Sequence, residues 1–294
     1  MKININQKYK GILLIIASAF CFAFMNAFVR LSGDLPSMQK VLFRNLVAFF
    51  FAGAVLLRSE KGFHIEKGCF KFLFLRSFFG TLGMICNFYA IDHLVLADAS
   101  MLNKMSPFFV IIFSYIFLKE KLTPVQGIAV VTAFIGSLFI IKPTFTNMAL
   151  VPSLAGFLGG MAAGFAYCMV RLLGKKGQHG PFIVFFFSAF SCVVTLPFFI
   201  LNYHPMEWWQ LLALLGAGLA ATGGQFSITA AYCYAPASEI SVYDYSQIIF
   251  ATSLGFFMFG QVPDGWSFLG YVIICGAAIG MFLYNNRRAV KKES

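Results

Sequence analysis

Apolar residues run along this chain in long blocks, and polar or charged residues separate one block from the next. Each block is about 20 residues long, which is the length that crosses a hydrocarbon core at 1.5 Å per helical residue. Ten blocks follow one another without a gap long enough for a separate soluble domain. They cover residues 10–32, 37–57, 70–91, 97–118, 123–141, 152–173, 179–201, 208–234, 237–260 and 263–286. The pattern predicts an all-α integral membrane protein with ten transmembrane helices.

The composition also fits a membrane protein. Hydrophobic residues make up 60% of the chain and charged residues only 11%, whereas soluble domains carry about 25% charged residues. The net charge of +11 does not indicate nucleic-acid binding, because the cations separate apolar spans and do not cluster on one face. The first block follows Lys2, Lys8 and Lys10 and resembles a signal peptide. It is too long for a signal core and lacks a small-residue cleavage site, so we expect a retained anchor.

The distribution of lysine and arginine predicts the topology. If the N-terminus lies in the cytoplasm, sixteen of these residues fall in inner segments, and two, Lys40 and Lys142, fall in outer loops. Inner loops of membrane proteins are enriched in Lys and Arg. Both termini are therefore predicted on the cytoplasmic side of the cytoplasmic membrane. The seven cysteines form no CxxC pair, so we expect neither a disulfide framework nor a metal site.

The second half of the chain repeats the first with a lag of 141 residues. The stretch FMNAFVRLSG at 24–33 matches FAYCMVRLLG at 165–174, and the polar start of span four matches that of span nine, where Asp244 aligns with Asn103. Each copy holds five spans, an odd number, so the second copy must lie inverted in the membrane. The fold is therefore predicted as two inverted five-helix repeats. The predicted repeats are residues 1–145 and 146–294.

These features together resemble the EamA-type drug/metabolite transporter superfamily. The resemblance rests on the repeats, on the polar start of spans four and nine, and on the stretches YAIDHLVLADA at 89–99 and YIFLKEKLTP at 115–124. It covers essentially the whole chain and implies secondary transport of small organic solutes such as amino acids or nucleosides. It also implies a central pocket lined by spans one, three, four, six, eight and nine. The second repeat departs from the family pattern at Gln261, which stands where the first repeat has Glu120.

Polar residues inside the predicted spans are the candidates for a solute site, because ionisable groups are costly against lipid. Spans three, four, eight and nine carry them at helical spacing, and Arg44 adds a cation to span two. The predicted solute-binding residues are Arg44, Arg76, Asn87, Asn103, Lys104, Gln225, Tyr243, Asp244, Tyr245 and Gln247. Glu239 and Asp244 are also candidates for proton coupling, since a carboxylate within a span can relay a proton.

Each candidate also has a structural interpretation. Asn103 and Gln247 can tie helices together by hydrogen bonds, and Arg76 can extend to the headgroups from the inner end of its helix. Tyr243 and Tyr245 also fit the interfacial aromatic belt. Glycines four residues apart predict close helix packing, either within one chain or in a homodimer. These glycines are Gly156, Gly160, Gly164, Gly276 and Gly280.

Two cations at similar depth, Arg44 and Lys104, indicate a solute with a negative group. No acid on spans two or four is placed to neutralise both, and Asp98 lies on a different face from Lys104. A carboxylate, as in a zwitterionic amino acid, is the favoured partner because unpaired charge is costly in a low-dielectric site. In the alternative, Lys104 pairs with Asp244 or Asp98, and the solute is neutral or cationic, such as a nucleoside or a drug.

Other function classes fit the sequence less well. A membrane-embedded enzyme needs clustered His, Asp or Cys groups, and no span contains such a cluster. A passive channel is a third alternative, which the residues alone do not separate from a transporter. The sequence has no P-loop, so energy must come from a gradient or from the solute itself. We predict a transporter whose partners are a small-molecule solute and membrane lipid, with no catalytic residues, cofactor, metal or nucleic acid.

Overall fold

The computed structural model describes residues 5–60, 62–118, 123–141, 149–234 and 241–293, and within these ranges the chain forms helices and no β-strand. The predicted all-α fold is confirmed. The α-helices are α1 Ile5–Leu31, α2 Ser37–Leu57, α3 Phe70–His93, α4 Leu96–Asn103, α5 Ser106–Leu118, α6 Pro124–Ile141, α7 Leu150–Lys175, α8 Gly180–Leu201, α9 Trp208–Tyr234, α10 Ser246–Phe259 and α11 Gly265–Glu293, and Ser241–Tyr245 forms a 3₁₀ turn.

Nine helical segments in the described ranges are long and apolar enough to cross a membrane. They correspond to nine of the ten predicted spans, with α4 and α5 together forming the fourth. The predicted ninth span corresponds to the 3₁₀ turn and α10, which have five and fourteen residues. Its first part, including Glu239, lies outside the described residues, as do Glu120 and the predicted repeat boundary at residue 145.

The fourth span is broken near its middle, although the sequence pattern predicted one continuous helix. Helix α4 ends at Asn103, Lys104 and Met105 form a turn, and α5 begins at Ser106. Pro107 explains the break, because proline has no backbone N–H and its ring clashes with the carbonyl four residues earlier. A break at membrane depth needs new partners for the freed backbone groups. Tyr245 supplies one, since its hydroxyl donates to the Lys104 carbonyl over 2.9 Å.

The helices pack with the symmetry of an inverted repeat. Helix α1 packs on α9 and α3 packs on α7, which are equivalent contacts when the two repeats are exchanged. The equivalent helices α2 and α8 also pack together and run in opposite directions. Gln39, at the start of α2, exchanges two hydrogen bonds with the backbone of His204, just after the end of α8. Likewise, the Leu96 N–H at the start of α4 donates to Gln261, just after α10.

The glycines of α7 let neighbouring helices approach it closely. A Cβ on Gly160 would lie 2.6 Å from the Leu102 carbonyl oxygen, and one on Gly164 would lie 2.8 Å from that of Ser106. This part of α7 therefore packs within the chain, against α4 and α5. A Cβ on Gly276 would meet nothing within 4 Å. The homodimer stays a prediction.

We expect Gly164→Ala to lower the free energy of unfolding by about 1–3 kcal/mol, because overpacking forces the surrounding backbone to move. Gly276→Ala is the matched control and should leave stability unchanged or slightly higher, because Ala favours the helix and nothing opposes its Cβ. Thermal unfolding of the purified variants in one detergent measures both. Equal unfolding temperatures for the two variants would contradict the close packing at Gly164.

Candidate solute-binding cavity

A cavity of about 80 Å³ with many polar lining residues lies inside the helix bundle. Its volume accommodates a few water molecules and is smaller than the roughly 300 Å³ of a typical ligand pocket. All six predicted spans contribute to it, and α2 and α8, the second and seventh spans, contribute as well. The lining residues are Phe22, Met25, Asn26, Arg44, Arg76, Gly80, Gly83, Met84, Asn87, Asn103, Lys104, Ala163, Ala166, Tyr167, Phe187, Gln225 and Gln247.

The cavity lies where the two repeats meet. Four pairs of its lining residues are separated by the repeat lag of 141 residues, so each pair occupies equivalent positions in the two halves. This arrangement is expected for a site at the interface of two inverted repeats. The pairs are Phe22 with Ala163, Met25 with Ala166, Asn26 with Tyr167, and Met84 with Gln225.

Seven of the ten predicted site residues line this cavity. Of the other three, Asp244 and Tyr245 contact its lining residue Lys104, and Tyr243 does not line the cavity. Tyr245 is buried and bonds to the Lys104 carbonyl, while Tyr243 packs on Phe282 with ring centroids 5.5 Å apart. Asp244 is 1% exposed and contacts Lys104. The seven lining residues are Arg44, Arg76, Asn87, Asn103, Lys104, Gln225 and Gln247.

Lys104 and Asp244 form a buried ion pair, with 2.6 Å between Nζ and Oδ2. The expectation that Lys104 has no neutralising acid is therefore wrong, and the alternative pairing with Asp244 is observed. The pair was not expected because it depends on the tertiary fold. The inverted repeats bring the polar starts of spans four and nine together, and residue spacing along a single helix does not show this contact. The other carboxylate oxygen of Asp244, Oδ1, has no hydrogen-bond partner among the described residues.

Arg44 and Arg76 are the cations of the cavity that lack a carboxylate partner within the part of the chain that the structure describes. Each is 2% exposed, so Arg76 does not extend to the headgroups. Both guanidinium groups lie against the ring of Phe187, with Cζ 4.0 Å from the ring centroid for Arg76 and 5.7 Å for Arg44. Nη1 of Arg44 donates to Asn45 over 2.6 Å. The Nε–H of each arginine is unpaired among the described residues.

The cavity thus offers both donors and acceptors to a solute. The two guanidinium groups present N–H donors and positive charge, which suit a carboxylate or a phosphate. Unpaired side-chain oxygens of Asn26, Asn87 and Gln247 lie around the same space and suit a donor such as an amine. The residues around this cavity therefore offer partners for both ends of a zwitterion.

Sequence reasoning missed Asn26, Tyr167 and Phe187 as cavity residues. The repeat lag pairs Asn26 with Tyr167, but the alignment of 24–33 with 165–174 does not distinguish them, because the two residues differ in type. Phe187 is not distinguished by sequence either, because it lies in the phenylalanine-rich stretch VFFFSAF and its repeat equivalent is Leu46. Only its contact with the two arginines distinguishes it from the other phenylalanines.

We call the end of the bundle that carries the α1–α2 loop the first face and the opposite end the second face. At the first face, Arg30 donates to the carbonyls of Ile91 and Leu94. Lys40 was predicted in an outer loop, but it lies buried in the first turn of α2 and pairs with Asp92 over 2.6 Å. These contacts join the end of α1 and the start of α2 to the end of α3.

A second cavity has a volume of about 490 Å³ and lies at the first face. Its lining includes Arg30, Asp34, Asp92 and His93. Arg30 lies one helical turn after Asn26 along α1, so the two cavities are about one turn apart.

A glutamine links helix ends at the second face. Gln178, just before α8, accepts from the Glu66 N–H and donates to the His64 carbonyl, each over 3.0 Å. This contact resembles that of Gln39 with His204 at the first face, because each glutamine lies near the start of one helix of the α2–α8 pair and binds the loop after the other. The two glutamines do not align at the lag of 141 residues. A third cavity of about 360 Å³ lies beside Gln178. Helix ends are therefore linked by polar contacts at both faces of the bundle.

Two inverted five-helix repeats around a cavity with polar lining residues are the architecture of a multi-pass membrane transporter. Comparison with known proteins agrees with this class. The model of the EamA-like transporter family matches residues 9–142 and 152–283. The chain belongs to this family.

Several characterised proteins are similar to the chain over nearly its whole length. The pseudopaline exporter of Pseudomonas aeruginosa is 33% identical over 276 residues, which cover 92% of this chain and 95% of that protein. Human solute carrier family 35 member G1 is 28% identical over 287 residues, which cover 92% of this chain and 78% of that protein. The riboflavin transporter of Vibrio cholerae is 26% identical, with 90% of each covered. A crystal structure with 15% identity superposes with a TM-score of 0.71 over 94% of this chain and 98% of that one, so the fold is shared.

Proposed function

We propose that this protein is a secondary transporter that moves a small organic solute with a negative group across the cytoplasmic membrane by alternating access. A zwitterion such as an amino acid is the favoured solute. The observation that carries the proposal is the presence of Arg44 and Arg76 in the central cavity without a carboxylate partner among the described residues. The family supports transport, while the names of its members differ in solute, so the solute class is argued from the cavity.

The charge argument rests on the cost of burying ions. An unpaired cation away from water is costly, and a ligand carboxylate or phosphate lowers that cost. Lys104 does not contribute free charge, because Asp244 neutralises it. The cationic centre of the site is therefore Arg44 with Arg76, in place of the Arg44 and Lys104 expected from depth alone. A neutral or cationic solute is the second candidate, because Lys104 is already paired with Asp244. The absence of a carboxylate partner for Arg44 and Arg76 among the described residues argues against this candidate.

The same proposal predicts which solutes stabilise the protein. A ligand at 100 times its Kd adds about 2.7 kcal/mol to the stability of the folded state. We expect anionic or zwitterionic solutes to raise the unfolding temperature in a screen of amino acids, organic acids, nucleosides and organic cations. A rise with nucleosides or cations alone would contradict the proposed solute class.

Alternating access requires the two faces to open in turn. The links at the first face involve Arg30, Lys40 and Asp92, and the link at the second face is Gln178. The links at the first face and at the second face are both present in this structure. The cavity of about 80 Å³ must widen before a solute fits. The inverted symmetry gives both faces the same architecture, so a similar motion can open either one.

Loosening one face should expose the cavity to that side only. With Asn87→Cys as a reporter in the cavity, we expect the double change Lys40→Met and Asp92→Asn to speed labelling by a membrane-impermeant thiol reagent about tenfold. The reason is that hydrogen bonds to charged groups contribute about 1.5–3 kcal/mol. Removing both charges leaves no buried ion behind. Gln178→Ala should speed labelling from the opposite side, and equal labelling from both sides in either variant would contradict two separate gates.

The proposed orientation puts the first face outside the cell and both termini inside, because inner segments hold sixteen basic residues by sequence pattern. His204→Cys should then react with impermeant reagent added to whole cells, and His64→Cys should not. The parent protein is the control, because its labelling measures the reaction of the seven native cysteines. The reverse pattern of labelling would invert the topology.

Proton coupling through Asp244 is part of this proposal. Protonation of the carboxylate would remove its attraction for Lys104 and free that amine for the solute. Glu239, the other predicted coupling residue, lies outside the described residues. Transport by Asp244→Asn with the pH dependence of the parent would make the acid structural.

A further inference from the structure

Gly80 provides the space in which the Arg76 guanidinium lies. The two residues are one helical turn apart on α3, and a Cβ on Gly80 would overlap Nη1 of Arg76. The same Cβ would lie 2.9 Å from Cε2 of Phe187. Glycine inside a helix costs about 0.5–1 kcal/mol relative to alanine. Here the missing side chain lets the guanidinium lie along its own helix and against an aromatic ring.

Phe187 holds the second arginine against the same ring. The ring lies 4.0 Å from Cζ of Arg76 and 5.7 Å from Cζ of Arg44, within the range of a cation–π contact. The electron-rich face attracts each cation but supplies no negative charge, so two like charges remain close together. The carboxylate of Asp244 already binds Lys104. A solute with a single negative charge would leave one of the two arginines without a counter-charge.

We infer that Gly80 and Phe187 position Arg76 and Arg44 as one anion-binding unit, and that this unit selects solutes carrying two negative charges close together. A dicarboxylate and a phosphate monoester both have this chemistry, and a zwitterionic amino acid has it when its side chain carries a second negative group. The inference rests on the proposed function and deepens it, because it names the charge of the solute and the two residues that set the preference. Gly80 and Phe187 are positioning residues, since they act through the arginines.

The test compares pairs of probes in which one member carries more negative charge. The members of the first two pairs differ by one charge at nearly constant shape, and the third pair adds a phosphate group with about two negative charges. Binding of succinate against succinamate, glutamate against glutamine, and phosphoserine against serine is measured on the purified full chain by calorimetry. We expect the parent to bind the more anionic member of each pair at least tenfold more tightly. Gly80→Ala and Phe187→Leu should bring this ratio close to one, whereas Phe187→Tyr, which keeps the ring, should preserve it. Gly276→Ala is the matched glycine control, because its Cβ meets nothing within 4 Å.

A purely structural role for Gly80 and Phe187 would lower the fraction of folded protein and leave the ratio of affinities unchanged. An unchanged ratio in both Gly80→Ala and Phe187→Leu therefore overturns the inference. Equal affinity of the parent for the two members of each pair also overturns it, while anion binding that depends on Arg76 would leave the proposed function standing. A parent that binds none of the six probes overturns the inference, and the proposed function is then decided by counterflow of other solutes with a negative group.

Discussion

Lys104→Met is expected to lower the free energy of unfolding by about 3–5 kcal/mol, because it leaves Asp244 as a buried carboxylate without its partner. The pair is closed, with 2.6 Å between the charged atoms, and Asp244 is 1% exposed. A water molecule from the cavity can restore a hydrogen bond but not the lost positive charge. Thermal unfolding in detergent at neutral pH measures the effect.

A double-mutant cycle separates the ion pair from packing. Asp244→Asn alone should destabilise the protein for the same reason, and the combination of Lys104→Met with Asp244→Asn should be more stable than either single variant. Lys104→Arg keeps the charge and should lie close to the parent. Additive losses in the double variant would mean that the two side chains do not interact, and the pairing seen in the structure would be contradicted.

Arg76→Met is expected to reduce solute affinity by about 10- to 100-fold, because a hydrogen bond to a charged group contributes about 1.5–3 kcal/mol. Arg76→Met should not destabilise the protein, in contrast to Lys104→Met. Removing a buried cation that has no carboxylate partner among the described residues relieves a desolvation cost, so the unfolding temperature should hold or rise. Calorimetric binding and thermal unfolding of the same preparation measure the two quantities.

Arg58→Met provides the matched control, because this arginine is exposed at the end of α2. It should leave both affinity and stability unchanged. A stability loss for Arg76→Met comparable to that for Lys104→Met would indicate an acid partner for Arg76, and the proposed anion site would then lose its basis.

Much of the fold was predictable because its signals are local. A run of about 20 apolar residues identifies a span by itself, and the lag of 141 residues identifies the repeat. The break at Lys104 was not predicted, although Pro107 lies three residues away, because proline in a membrane helix is often tolerated without a break. Lys40 was assigned to an outer loop, and its burial was not predicted, because its partner Asp92 lies on another helix.

The candidate site was predictable in its residues but not in its pairing. Charged residues inside spans stand out in any sequence, so Arg44, Arg76 and Lys104 were identified. Which of them is neutralised depends on contacts between helices, and only the fold brings Asp244 to Lys104. Phe187 could not be identified from the sequence, because it is distinguished only by the contacts of two arginines with its ring.

Counterflow in proteoliposomes tests the proposed transport most directly. Vesicles containing the parent protein or Arg76→Met are loaded with an unlabelled mixture of amino acids, organic acids and phosphate esters, and the same mixture with isotope labels is added outside. The expected result is saturable exchange of at least one solute with a negative group by the parent and its loss in Arg76→Met. Exchange confined to neutral or cationic solutes, or uptake by the parent that does not depend on solute loaded inside, would contradict it.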